Sequence, residues 1–218
     1  ILLKPKGTAT FEFPHLLRLI EQTQFDTIYH EHYSYFSILA LQKVFEANGL
    51  DVVDVDELSS HGGSLRLYVR HCGVEGPGPR VTELLERERL ARLDRLETYS
   101  AFEQQVRATK RDLLEFLIGA RRDGRHVAGY GAPAKGNTLL NYCGVRGDLL
   151  DYVVDLSPHK QGLYLPGTRL PIHAPDRIAE TKPDYVLILP WNLRDEIVEQ
   201  MATCANGAAG SSRRSRPP

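Results

Sequence analysis

The segment that most restricts the fold is Gly129-Tyr130-Gly131-Ala132-Pro133-Ala134-Lys135-Gly136, which ends an apolar run at 127–130 and opens a helical pattern at 136–142. A chain that passes this abruptly from an extended run into a helix needs glycine where the backbone is crowded or φ is positive. The spacing fits Gly-x-Gly-x-x-Ala, the loose form of a turn whose backbone N–H groups face a phosphate at a helix start, with Lys135 as an added point charge. Lys135 precedes Gly136, so the order is not that of a Walker A loop. A turn of this shape that binds nothing is the competing reading.

The alternation continues beyond the turn. An extended run at 149–155 ends in Asp155, another occupies 185–189, and a helix is expected at 193–201. Alternating strands and helices call for a parallel sheet of Rossmann type, in which an acidic residue at Asp155 meets a ribose hydroxyl. Upstream, residues 8–13 read as a strand, Leu16, Leu17 and Ile20 share helical spacing, and Leu41, Val44 and Phe45 form one face of a helix closed by Gly49. Strands at 50–58 and 64–70 joined through His61-Gly62-Gly63 give an α/β unit with an antiparallel finish. Gly/Pro punctuation at 73–79 marks a boundary, and the Leu-, Glu- and Arg-rich stretch 81–122 predicts one or two long helices.

With 218 residues, 42% of them hydrophobic and 25% charged, the chain can bury a real core. A net charge of −1 offers no field for nucleic acid or an anionic membrane. The three cysteines, Cys72, Cys143 and Cys204, are far apart and form no Cys-x-x-Cys pair, which fits a reducing cytoplasm. No apolar run approaches the roughly 18 residues of a membrane span, so the expectation is a soluble protein. The opening Ile1-Leu2-Leu3, without Met, reads as the middle of a domain, and residues 205–218, all small, Arg or Pro, read as a disordered tail.

The densest chemistry is Tyr29-His30-Glu31-His32, with Tyr33 and Tyr35 just beyond. Imidazole, carboxylate and phenol together offer a base, an orienting partner and an oxyanion donor. The order His-Glu-x-x-His is absent, so a metalloprotease helix is not indicated, although two histidines on one strand face could ligate a metal. In extended backbone Tyr29 and Glu31 share a face while His32 points away, so convergence of phenol and imidazole requires 27–36 to leave strand geometry. The bland alternative is a capping histidine beside packed tyrosines. His61-Gly62-Gly63-Ser64 is a further candidate, since its glycines let backbone approach a ligand; an ordinary hairpin loop explains it nearly as well. Trp191-Asn192 sits at a strand's carboxyl end, with an N-cap role for Asn192 as the simpler account.

Taken in order, Phe25-Asp26-Thr27-Ile28-Tyr29-His30-Glu31-His32, His61-Gly62-Gly63-Ser64-Leu65-Arg66 and the 129–136 turn resemble the S-adenosylmethionine-dependent sugar C-methyltransferases of bacterial deoxysugar biosynthesis. The resemblance runs from Leu2 to about Ala202. It implies an α/β fold: 1–72 as the remnant of a methyltransferase-type sheet carrying the catalytic segment, 73–123 as linking helices, 124–202 as a Rossmann-like C-terminal domain, and 203–218 as tail. It also implies Tyr29, Glu31 and His32 as catalytic residues with His32 as base, and a nucleotide-diphosphate keto sugar held by His61, Gly62, Tyr130, Gly131, Lys135, Asn137 and Asp155. His30 falls where the family varies. The donor's glycine loop and the family's zinc module are expected upstream of Ile1, so the chain alone is expected to be inactive and to hold no metal. Two other classes compete: an NAD(P)-binding oxidoreductase half, on the strength of Gly129, Gly131 and Asp155, and a non-catalytic nucleotide-sugar-binding scaffold.

Overall fold

A computed structural model describes residues 3–211, with 203–211 as backbone alone. The chain divides into two compact units between Thr109 and Lys110.

The first unit is built on strands β1 (Ala9–Pro14), β2 (Leu50–Leu58) and β3 (Ser64–His71), antiparallel in the order β1-β3-β2. Leu65, Leu67 and Val69 of the central strand alternate onto one face and are sealed there, while Arg66 on the other face pairs with Glu12 directly across β1. This period-2 division is why the strand reads cleanly from sequence. Helices α1 (Leu16–Glu21) and α2 (Ile38–Glu46) fill the intervals, and a short 3₁₀ turn at Phe25–Thr27 leads into the irregular stretch that carries Tyr29 to Tyr35.

Helix α3 (Pro79–Leu90) follows the Gly/Pro segment with proline in its first turn. Its Val81, Leu84 and Leu85 enter the same core as Ile38, Val52 and Leu67. So α3 belongs to the first unit and is no linker: the boundary expected at 73–79 and the linking segment 73–123 give way to a division inside α4 (Leu96–Arg122). The i, i+3, i+4 spacing of those three residues was a packing signal in plain view. Glu88, one turn further on, is fully buried, and its carboxylate accepts the backbone N–H groups of Ile38 at 3.0 Å and Leu39 at 2.9 Å. A side chain from α3 thereby satisfies the first amides of α2, with Ser37 Oγ accepting from Ala40 N–H beside it.

The second unit is a parallel sheet in the order β6-β5-β4-β7, made of β4 (Val127–Tyr130), β5 (Val153–Val154), β6 (Ile172–His173) and β7 (Tyr185–Ile188). Helix α5 (Ala134–Cys143) crosses from β4 toward β5, α6 (Asp176–Thr181) leads into β7, and Leu117 and Ala120 from the end of α4 complete the core around Leu140, Val153 and Leu189. The strand expected at 149–155 contracts to two residues because Leu149 and Leu150 donate to Arg146 in a turn. Helix α7 (Arg194–Ser211) runs into the segment read as tail, and 212–218 lies outside the described residues. The α/β architecture with a parallel sheet is as the sequence implied. Among the described residues no helix is long and apolar enough to cross a membrane.

Candidate active site

In the first unit the stretch after Thr27 does leave strand geometry. His32 N–H donates to Tyr29 C=O at 3.0 Å, closing a turn that lays the two rings together with centroids 4.5 Å apart and planes 32° from parallel. His32 Nδ1 lies 2.9 Å from the Thr27 carbonyl, which also accepts Tyr35 O–H at 3.0 Å. A carbonyl oxygen only accepts, so Nδ1 carries a proton and in the neutral ring Nε2 keeps the lone pair, the tautomer a base needs. Thr27 itself is buried, its hydroxyl and amide both tied to Gln24 C=O. Burial, then the negative charges of Glu31 and Asp26, raise the Tyr29 phenol above its ordinary pKa, which keeps it a donor. Glu31 and His30 lie on the exposed side of the turn.

A cavity of about 210 Å³ opens beside this turn, lined by Glu12, Gln24, Thr27, His32, His61 and Ser64 among others. The structure thus brings the His61 motif to His32, while Tyr29 and Glu31 are not among the cavity's lining residues. The loop that delivers His61 is unusual: His61, Gly62 and Gly63 have φ of 54°, 99° and 135° in succession. Glycine meets this freely, whereas His61 sits in a left-handed conformation at a cost of about 1 kcal/mol. At Gly63 a β-carbon would also come within 2.8 Å of Arg18 Cδ.

His15, passed over at the level of sequence, ties these pieces together. Its N–H donates to Gly63 C=O at 3.1 Å, and it bridges to Phe36 at the end of the active stretch. Its ring is buried, Nε2 donates to Glu57 at 3.2 Å, and Nδ1 has no hydrogen-bond partner. Burial lowers its pKa from 6.5 to about 4, against the opposing pull of Glu57. The unfolded chain therefore binds a proton between these values that the folded chain refuses, so stability is complete above pH 6.5 and falls as the pH drops toward 4. The expected loss across that window is about 3 kcal/mol, measurable by urea unfolding at several pH values. His15→Asn should flatten the slope; an unchanged slope would assign the titration elsewhere.

In the second unit the glycine turn packs against its own chain. Gly131 has φ of 85°, and a β-carbon there would lie 2.5 Å from Pro190 Cδ; at Gly136 it would lie 2.7 Å from Leu189 Cβ. Lys135 does not stand free to meet a phosphate: it is buried, donates to Asn192 Oδ1 at 2.8 Å and lies 4.4 Å from the centre of the Trp191 ring. Asp155 is likewise engaged, accepting from Ala132 N–H at 2.7 Å, Ser157 N–H at 2.8 Å and Lys160 at 3.2 Å. Burial opposes its ionisation, but these donors outweigh it and hold the carboxyl below its usual range. Asn137 Oδ1 accepts from Asn141 at 3.2 Å. Side-chain charge and position in sequence suggested ligand contacts at these residues; their local partners could not be read there. Tyr130, Gly131 and Asp155 do line one cavity of about 230 Å³, together with Lys160, which the motifs did not flag. Among the described residues no group of three or more His, Cys, Asp and Glu is arranged to hold a metal.

The C-methyltransferase NovU of Streptomyces niveus is 40% identical over 199 residues, a stretch that covers 91% of this chain and 47% of that protein. The chain thus spans about half the length of the curated relative it matches. The family model described as the C-methyltransferase C-terminal domain matches residues 59–210, a span that holds the His61 loop and the whole parallel sheet, and the chain belongs to that family.

Proposed function

We propose that this chain is the part of a bacterial, cytoplasmic C-methyltransferase that binds a nucleotide-diphosphate keto sugar and removes the proton next to its ketone. The observation that carries the reading is the tautomer that the Thr27 carbonyl fixes for the neutral His32 ring, with Nε2 left as the basic nitrogen of a residue that lines the cavity. A C–H beside a ketone is acidic enough to lose only when the enolate oxygen is stabilised as the proton leaves. His32 Nε2 takes the proton, the Tyr29 phenol donates to the developing oxyanion, and burial together with the Glu31 charge keeps that phenol protonated. His61 and Gly62 bound the sugar side. The second unit has a cavity of its own, lined by Tyr130, Gly131, Asp155 and Lys160, that suits a nucleotide, and Lys135 and Asn137 hold the surrounding turn.

S-adenosylmethionine, when bound, supplies the methyl group that the nucleophilic carbon attacks. The glycine turn does not fit it: the spaces before Gly131 and Gly136 are filled by Pro190 and Leu189, and the Ala132 amide is bonded to Asp155. The same packing weighs against a dinucleotide on this turn. No step proposed for these residues passes through the donor.

In the full-length enzyme Tyr29→Phe should slow both solvent exchange of the sugar's α-proton and methyl transfer by about 10²-fold while leaving sugar-nucleotide affinity nearly intact, because the lost donor matters mainly when charge develops. Weakened affinity with an unchanged rate would move Tyr29 from catalysis to binding.

A further inference from the structure

We infer that Gln24 reads a hydroxyl group of the sugar, an inference that rests on the first unit's cavity being the sugar site proposed above. Gln24 is 5% exposed and lines that cavity beside His32 and His61. Its backbone is spent: N–H donates to Leu19 C=O at 2.8 Å, and C=O accepts from Thr27 N–H and Thr27 Oγ1. Its side-chain nitrogen is spent as well, donating to Gln22 Oε1 at 2.7 Å and to Gly62 C=O at 3.0 Å. The Gly62 carbonyl can only accept, so turning the amide over would set Oε1 against that oxygen, and the orientation is fixed by it.

One polar atom is left. Among the described residues no donor reaches Gln24 Oε1, it is not a sealed, unsatisfied atom, and its residue lines the cavity, which is where we infer that the oxygen is directed. A nearly buried amide oxygen with a fixed direction recognises a donor, and a ligand that lacks one leaves it unpaired. On a neutral sugar that donor is a hydroxyl. The Gly62 bond also makes the contact part of the left-handed loop, so recognition and the placement of His61 share one anchor.

The experiment uses the full-length enzyme with thymidine-diphosphate 4-keto-6-deoxyglucose and its 2-deoxy and 3-deoxy analogues, following kcat/KM for methyl transfer and affinity by calorimetry. Gln24→Met should lower kcat/KM about 10- to 100-fold on the parent compound, and the wild-type advantage should collapse toward unity on one of the two analogues. The same loss on all three compounds, or no loss on any, overturns the proposal. So does failure of all three to bind the wild type, which also overturns the sugar-site reading. Should the variant fail to fold, a crystal structure of the wild type with the bound parent decides: a sugar hydroxyl within about 3.2 Å of Oε1 supports the contact and its absence removes it. Calorimetry separates this test from that of the base, because His32→Asn with full proton exchange would unseat His32 and leave the analogue pattern standing.

Discussion

His32→Asn in the full-length enzyme abolishes exchange of the sugar's α-proton with solvent and, with it, methyl transfer, each falling by a factor of about 10² to 10⁴. Asparagine keeps a donor for the Thr27 carbonyl, so the turn closed by His32 N–H and Tyr29 C=O can persist. What it lacks is the basic lone pair of Nε2. The two readouts must fall together, since proton removal precedes attack on the methyl group. If exchange survives while transfer is lost, another group is the base and His32 serves a later step. Deuterium incorporation followed by mass spectrometry, alongside turnover of a labelled methyl donor, separates these outcomes.

Glu88→Ala should cost about 4 kcal/mol of folding stability, because it strands two backbone N–H groups, each worth about 1 to 3 kcal/mol when buried without a partner. One of them, at Ile38, is wholly enclosed. The damage should be local at first: α2 loses its opening hydrogen bonds, and hydrogen exchange should quicken at 38–41 before the strands respond. Burial holds the Glu88 carboxyl above its ordinary 4.5, so the folded chain keeps its proton longer than the unfolded chain does. Stability from this group falls as pH rises above 4.5, and the alanine variant should lack that slope. Equal unfolding midpoints in urea for the two proteins would show that water takes over the amides.

The parts of the molecule that depend on local pattern were legible. β3 alternates strictly, α2 and α4 carry helical spacing, and the turn at Gly129 and Gly131 could hardly lie anywhere but between a strand and a helix. The bend at Tyr29 to His32 followed from a geometric need, that of bringing a phenol and an imidazole three residues apart to the same place, and the rings do meet. What escaped was set by partners distant in sequence. Nothing near Glu88 announces that its oxygens belong to amides fifty residues earlier. Gln24 carried no motif, and its acceptor Gly62 lies 38 residues further along the chain. His15 carried no motif, and its significance lies in burial and an orphaned nitrogen. At Lys135 and Asp155 the charge beside a glycine turn suggested a ligand, and the protein partners that engage both side chains could not be read there.

The division between Thr109 and Lys110 falls within one continuous helix, Leu96–Arg122, and not in a loop. For anyone exchanging modules between relatives this changes the rules of splicing. A loop junction forgives an added or missing residue, but in a helix each one turns everything downstream by about 100° and shifts it about 1.5 Å. Phe102 packs with Leu93 before the junction, and Leu117 with the parallel-sheet core after it. A chimera must therefore be joined in helical phase, so that residues on both sides keep the faces they bury.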